Sequence, residues 1–162
     1  MSNDFYQKYI IPFAPMIIKI CRAYTDNDED FQDYYQEVCL QIWQSRDRFN
    51  EKSKWSTWVY RIALNVCLSL KRKSNNELEK QSKIDGANMH ATNQAFHDEQ
   101  LNMLYAAIKT LPEVDRAVIL LYLEEKSYHE IADITGTNTN NIGVRINRIK
   151  QKLKHKLYGS FN

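Results

Sequence analysis

The sequence predicts an all-α protein in which a flexible linker joins two small helical domains. Apolar residues recur every three or four positions over several long stretches, which is the pattern of amphipathic helices. The alternation that marks half-buried strands is missing, and four of the 162 residues are glycine. Residues 74–97 are polar and without period, so they predict a linker between a first domain, residues 1–73, and a second, residues 98–162.

The bulk composition indicates a globular protein without a membrane anchor. Hydrophobic residues make up 43% of the chain and charged residues 26%. The N-terminal apolar stretch is interrupted by Pro12 and Pro15, is too short to span a bilayer and lacks the features of a signal peptide. Cys21, Cys39 and Cys67 are widely spaced and odd in number, which predicts buried thiols in a reducing compartment. We therefore expect a cytoplasmic protein with no membrane insertion.

Charge is segregated along the chain although the net charge is only +2. Between Asp26 and Glu37 there are six acidic residues and no basic one. Between Arg46 and Lys73 there are eight basic residues against two acidic ones. Such segregation predicts separate surfaces for separate partners.

In the first domain we expect three helices. The first helix begins after Pro15 and ends at about Tyr24. The second covers residues 26–46 with Asp28 as its cap, and the third runs from about Trp55 to Lys73. The predicted inner stripes of the second and third helices are Phe31, Tyr35, Val38 and Ile42, then Trp55, Val59, Ile62, Val66 and Leu70.

The second domain begins with two amphipathic helices, of which the second has Pro112 in its first turn. A short helix then runs from Tyr128 to about Thr135 and ends at Gly136, which can adopt the left-handed conformation. The polar run of residues 137–141 can cap a further helix. The stripe of that last helix is Ile142, Ile146, Ile149, Leu153 and Leu157, and the inner residues predicted for the two helices before the short one are Leu101, Leu104, Ile108, Leu111, Val114, Ala117, Val118 and Leu121.

This order of a short helix, a turn with glycine and a basic helix predicts a helix-turn-helix for DNA. The alternative is an ordinary amphipathic helix with a solvated basic face, because basic residues also suit a helix C-terminus. The position of the turn favours DNA, as do the Asn residues near the helix start together with Arg145 and Arg148, since these side chains pair with base edges.

Signals for catalysis are missing from the sequence. Residues 129–133 nearly spell the zinc-protease motif HExxH, but Asp133 stands where the second His belongs. There is no phosphate-binding glycine loop, no nucleophile elbow and no metal-ligand cluster of Cys and His. We therefore expect neither an enzyme nor a cofactor or metal site.

Two stretches resemble one family. The sequence DYYQEVCLQIWQSRDRFNEKSKWSTWVYRIALNVCLSLKRK, from Asp33 to Lys73, resembles region 2 of the extracytoplasmic-function (ECF) sigma factors of bacterial RNA polymerase. The sequence LPEVDRAVILLYLEEKSYHEIADITGTNTNNIGVRINRIKQKL, from Leu111 to Leu153, resembles their region 4. The resemblance implies a protein that binds core polymerase and directs initiation at promoters with −10 and −35 elements, while the polymerase performs the chemistry.

The resemblance also implies partners and a polymerase-binding surface. In this family region 2 grips the clamp coiled coil of the largest polymerase subunit, the flap of the second subunit is a further contact, and an anti-sigma factor is expected. The residues that match the clamp-binding helix are Asp33, Gln36, Glu37 and Trp43.

For the −10 element, the resemblance implies a loop that captures an extruded base and a helix that holds the melted strand. A pocket with an aromatic wall and polar edges offsets the cost of flipping a base. The matching loop residues are Phe49, Asn50, Ser53 and Trp55, and the matching helix residues are Trp58, Arg61 and Asn65. Core packing is the alternative role for Trp55 and Trp58.

For the −35 element, family contacts fall on the turn and on the start of the last helix. Two residues depart from the family pattern: Gly143 replaces a common Lys or Arg, and Asn138 replaces a common Pro. The residues expected at the DNA are Asn140, Asn141, Gly143, Val144, Arg145, Asn147 and Arg148.

The sequence is also compatible with two other functional hypotheses. One is a repressor that pairs the helix-turn-helix with an N-terminal dimerisation domain and ignores polymerase. The other is a polymerase-binding adaptor that has lost DNA recognition, for which Gly143 is the support.

Overall fold

The computed structural model describes residues 3–80 and 99–159, apart from the side chains of residues 78–80, and both ranges are helical with no strand. The all-α prediction is therefore confirmed. Short helical turns occupy residues 3–13. Seven longer helices follow: α1 (Ala14–Tyr24), α2 (Asp28–Gln44), α3 (Trp55–Lys80), α4 (Glu99–Lys109), α5 (Glu113–Leu123), α6 (Tyr128–Thr135) and α7 (Thr139–Tyr158).

The chain divides into two compact units, unit 1 (Met1–Ala95) and unit 2 (Phe96–Asn162). Helix α3 continues to Lys80, beyond the end predicted at Lys73, so the first part of the predicted linker is helical. The rest of that linker, residues 81–97, lies outside the described residues, and the exact domain boundaries stay a prediction. No helix within the described ranges has the length and apolar character needed to cross a membrane.

Unit 1 is a small bundle in which α1, α2 and α3 pack against one another. Its core takes Ile17, Ile20 and Cys21 from α1, all 2% exposed or less. In α2 the predicted Val38 and Ile42 are buried, but Tyr34 is buried in place of Tyr35, and Phe31 is half-buried. In α3 the predicted Val59 is buried, whereas Trp55, Ile62, Val66 and Leu70 are half-buried. The core takes Tyr60, Ala63, Leu64 and Cys67 from α3 instead. Both helices are apolar over a wide arc, so the sequence pattern did not fix which stripe faces inward.

The cap of α2 also differs from the prediction. Asn27, not Asp28, is the N-cap, and its side chain accepts a hydrogen bond of 2.8 Å from the backbone N–H of Asp30. Asp28 is the first helical residue, where its carboxylate still favours the positive end of the helix dipole.

Unit 2 folds as the sequence predicts around the turn between α6 and α7. Ser127 and Glu130 form a reciprocal capping box at the start of α6. Gly136 ends α6 with a φ of 81°, which is the left-handed region where glycine has no steric penalty. Asn138 caps α7 by accepting from the N–H of Asn141 at 2.9 Å. The helix-turn-helix geometry is therefore set by local hydrogen bonds.

The core of unit 2 lies under α7, where Ile142, Ile146, Ile149 and Leu153 are buried as predicted. Leu121, Ile108 and Ile131 of the other helices are fully buried there. The prediction for Val114 was wrong, because its side chain is 45% exposed near the start of α5. Leu101, Leu104 and Leu157 are half-buried rather than buried.

Candidate nucleic-acid interface

The first half of α7 presents an exposed row of polar side chains on the side away from the core. Because the buried isoleucines follow a strict helical stripe, the residues between them must project outward. Val144 is the apolar member of the row and is 54% exposed. The exposed members of the predicted DNA set are Asn140, Asn141, Val144, Asn147 and Arg148.

Arg145 differs from that row because it is bound within the unit. Its guanidinium donates to the carboxylate of Asp115 on α5 at 2.8 Å, and the Asp115 side chain is only 13% exposed. Two further cations of α7 contact other parts of unit 2. The Lys150 ammonium lies 4.4 Å from the centre of the Tyr122 ring on α5, and Lys156 donates to the hydroxyl of Thr110, just after α4. Part of the basic charge of α7 therefore secures the helix.

Gly143 lies where α7 passes the ring of Tyr128 at the start of α6. A Cβ at this position would be 3.5 Å from the nearest ring carbon, which is ordinary van der Waals contact. The backbone there is helical and α7 runs unbroken through it. Glycine is therefore compatible with the helix but is not required by space.

In unit 1 three of the four residues of the predicted polymerase surface lie close together on α2. Asp33 and Gln36 are exposed, whereas Glu37 is half-buried and accepts a hydrogen bond of 3.0 Å from Gln41. Leu40 lies one turn beyond Gln36 on the same face of α2 and is 40% exposed. Leu40 is not among the residues predicted for this surface, although the helical spacing places a leucine on this polar face.

The fourth residue of that set, Trp43, belongs instead to an aromatic cluster. The guanidinium of Arg46 stacks on the Trp43 ring at 3.6 Å and donates to the Trp43 carbonyl at 2.7 Å. The ring of Phe5, from the N-terminal turns, meets Trp43 edge-on with centroids 5.2 Å apart. Trp43 is half-buried by these contacts.

The loop between α2 and α3 packs onto the same cluster. Phe49 contacts both Trp55 and Trp58, with ring centroids 5.1 and 5.6 Å apart. The Trp55 N–H donates to the backbone carbonyl of Tyr9 at 2.9 Å. Residues predicted to capture a base are thus brought together as one aromatic wall.

Polar groups border this wall. Asn50 is exposed and accepts from the N–H of Lys52 at 3.2 Å. Glu51 has a φ of 62°, a strained value for a residue with a side chain, at the tip of the loop. Ser53 and Arg61 are half-buried and Asn65 is exposed. The indole nitrogen of Trp58 is buried and has no hydrogen-bond partner in the described chain, which leaves a donor to be satisfied.

Behind this surface the core of unit 1 holds titratable groups in their neutral forms. Burial raises the pKa of Cys39 to about 11 and that of Tyr34 to about 12. The Cys67 thiol, 3.8 Å from the Cys21 sulfur, also has a raised pKa because of this contact and burial. All three cysteines are buried free thiols as predicted, and the described residues contain no cluster suited to a metal ion.

Comparison with known proteins identifies two family models in the chain. The model for Sigma-70 region 2 matches residues 10–77, and a model for Sigma-70 region 4 matches residues 101–153. The ECF RNA polymerase sigma factor SigW of Bacillus subtilis is 26% identical over 96% of this chain and 90% of its own length. The ECF sigma factor SigE of Mycolicibacterium smegmatis is 27% identical over 89% of this chain, which spans 58% of that longer protein.

Solved structures show the same fold. The sigma factor RpoE of Bartonella quintana, in complex with the anti-sigma factor NepR, aligns with a TM-score of 0.78 at 21% identity over 96% of this chain and 98% of its own. CnrH, in complex with the cytosolic domain of CnrY, aligns with a TM-score of 0.72 at 19% identity over 96% of this chain and 89% of its own.

The fold, the two matched regions and the curated relatives define a sigma factor of the sigma-70 class. The chain belongs to the ECF group of RNA polymerase sigma factors. Its function is promoter recognition in transcription initiation. The resemblance inferred from the sequence is confirmed. The presence of both region 2 and region 4 favours a sigma factor over the two alternatives, a repressor and a polymerase-binding adaptor.

Proposed function

We propose that unit 1 binds core polymerase through α2 and holds melted −10 DNA at the aromatic cluster, while unit 2 places α7 in the major groove of the −35 element. The observation that carries this division is the exposed row on α7. A helix-turn-helix that buries one stripe and exposes Asn, Val and Arg along the other has donors, acceptors and a methyl surface to read base edges.

Recognition within the −35 element is divided among the exposed side chains. Arg148 offers paired donors that suit guanine, Asn147 and Asn141 can pair with adenine, and Val144 offers methyl groups that suit thymine. Arg145 holds α7 on α5 through Asp115 rather than reading a base, which revises its role in the predicted set.

The polymerase surface combines charge with an apolar centre. Asp33, Gln36 and Glu37 supply polar contacts around Leu40. Burial of the exposed Leu40 side chain by a partner stabilises the complex. Trp43 supports this surface from the aromatic cluster. The acidic start of α2 suits a basic partner surface, and long-range attraction then speeds association.

At the −10 element the aromatic wall of Phe49, Trp55 and Trp58 offers stacking to an unstacked base. Stacking of one base on an aromatic side chain is worth about 1–3 kcal/mol, which offsets the few kcal/mol that unstacking costs. Asn50 and Ser53 border the wall with hydrogen-bonding groups, and Arg61 and Asn65 continue it along α3 toward the strand backbone.

The protein acts in the cytoplasm as a binding factor and not as an enzyme, because the proposed surfaces recognise partners while polymerase carries out the chemistry. An anti-sigma factor is a further proposed partner. Two structural neighbours, RpoE and CnrH, are bound to such a factor or to a cytosolic domain in their solved structures.

The test measures co-purification of core polymerase with the full chain, followed by run-off transcription from promoter fragments. We expect Gln36→Ala with Leu40→Ala to weaken core binding by about tenfold or more, as for central interface residues, with unchanged helical content. Ser69→Ala, exposed on α3, serves as the control. Core binding equal to that of the native chain would contradict the proposed α2 surface.

A further inference from the structure

The N-terminal turns contact both proposed surfaces of unit 1 through one side chain. The Phe5 ring lies edge-on to Trp43, with centroids 5.2 Å apart, and edge-on to Trp55, with centroids 6.1 Å apart. Tyr9, one turn later, packs against Trp55 at 5.6 Å and accepts the Trp55 indole N–H with its backbone carbonyl. Phe5 thus stands between a tryptophan of the polymerase surface and a tryptophan of the −10 wall.

The segment that carries Phe5 is anchored at two positions that follow Phe5 in the chain. The Tyr6 hydroxyl lies 3.4 Å from the Tyr35 hydroxyl on α2, and Ile10 is fully buried in the core. These anchors restrict the segment, so the Phe5 ring stays in contact with both Trp43 and Trp55.

We propose that Phe5 is a positioning residue that couples polymerase binding at Trp43 to the orientation of Trp55, and thereby tunes the site for an unstacked base of single-stranded DNA. This inference rests on the proposed function of the aromatic cluster. Edge-to-face aromatic contacts favour a defined ring geometry, so removing the ring leaves Trp55 with alternative orientations. A loosened wall stacks on all bases more weakly and distinguishes them less.

The first experiment uses tryptophan fluorescence, because the three tryptophans of the chain, Trp43, Trp55 and Trp58, all lie in this cluster. Phe5→Ala is expected to increase quenching by acrylamide in the free protein. It is also expected to abolish the change in emission that we expect when the native chain binds core polymerase. Phe5→Leu keeps apolar bulk without the ring edge and carries the test if the alanine variant does not fold. Gln7→Ala, at an exposed position on the same N-terminal turns, is the matched control and should behave as the native chain.

The second experiment measures binding of the assembled holoenzyme to promoters with a pre-melted −10 region, either native or with one base changed. Phe5→Ala and Phe5→Leu should reduce the ratio of affinities for the two templates by about threefold to tenfold, the size expected for one or two aromatic contacts. A merely structural role would lower the active fraction and leave this ratio unchanged.

The outcomes separate this inference from the function on which it rests. Native discrimination that both Phe5 variants keep, at equal folded fraction, would overturn the coupling and leave the −10 assignment standing. Failure of the native holoenzyme to discriminate between the templates would overturn the −10 assignment and the coupling with it.

Discussion

In unit 2 the side chains proposed for DNA project from one regular helix, whereas in unit 1 they meet where four segments come together. The row on α7 is fixed once the helix exists and its apolar stripe is buried. The aromatic wall proposed for the −10 element forms where the N-terminal turns, the end of α2, the loop around Phe49 and the start of α3 pack together.

The contacts that shape the two proposed DNA-binding sites differ in the same way, although each unit also contains contacts of the other kind. Unit 2 sets its turn with hydrogen bonds between residues three or four positions apart, such as Ser127 with Glu130 and Asn138 with Asn141. Unit 1 depends on contacts such as Trp55 with Tyr9, which are 46 positions apart in the chain. A site assembled from distant segments responds to any change in packing, so we expect the −10 surface to be the more adjustable of the two.

The largest expected effect comes from a cavity in either core. Ile42→Ala in unit 1 and Leu121→Ala in unit 2, both at fully buried positions, should each lower the free energy of unfolding by about 2–5 kcal/mol. Hydrogen exchange read by mass spectrometry should show faster exchange in the unit that carries the substitution. Equal acceleration in both units would contradict the division into two independently stable units.

At alkaline pH we expect unit 1 to lose more stability than unit 2. Because the folded pKa values of Cys39 and Tyr34 are raised to about 11 and about 12, their neutral forms stabilise the fold fully below the ordinary values of 9.0 and 10.0. That contribution is lost as pH rises from about 9 to 12. In unit 2 the raised pKa of Lys150 belongs to an exposed ammonium beside Tyr122, which solvent screens.

We therefore expect unit 1 to unfold at lower alkaline pH than unit 2. Hydrogen exchange follows both units, and tryptophan emission follows unit 1, where all three tryptophans of the chain lie. Cys39→Ala removes one titrating group and should make the loss between pH 9 and 11 shallower. Loss of unit 2 before unit 1 would run against this prediction.

A smaller effect on DNA binding is expected from changes in the exposed row of α7. Arg148→Ala should cost about 1–3 kcal/mol of −35 binding and relax preference at one or two base pairs. Lys154→Ala, exposed and two turns further on, should weaken all sequences alike and lower the salt dependence. Binding of matched and altered duplexes at several salt concentrations checks both. A uniform loss for Arg148→Ala would mean that this arginine meets phosphate.

Removal of one N-cap in each unit compares how strongly α6 and α2 depend on their capping hydrogen bonds. Ser127→Ala and Asn27→Ala should each lower stability by about 1 kcal/mol, because each removes an acceptor for a free backbone N–H. The eight-residue α6 has fewer other contacts than α2, so its exchange should rise more. Urea unfolding combined with hydrogen exchange measures the two losses, and a larger exchange increase in α2 would reverse the comparison.

The smallest change is expected at Gly143. Gly143→Ala should stabilise unit 2 by up to about 1 kcal/mol, because alanine favours a helix interior and the Cβ meets Tyr128 only at ordinary contact distance. Gly136→Ala is the opposite control, since its φ of 81° penalises any Cβ. Thermal unfolding of both variants should shift the midpoint in opposite directions. Destabilisation by Gly143→Ala would show that α7 needs glycine there.

The sequence by itself determined the all-α class, the helix-turn-helix from Tyr128 onward, its glycine turn and the stripe of α7, because these depend on residues close together in the chain. It also placed the family motifs on the correct helices. The tertiary structure decided which arcs of α2 and α3 are buried, since Ile62, Val66 and Leu70 share a broadly apolar helix with the residues that the core selected. It decided, too, that Arg145 pairs with Asp115 and that Phe5 joins Trp43 to Trp55, because contacts between distant segments leave no periodic signal.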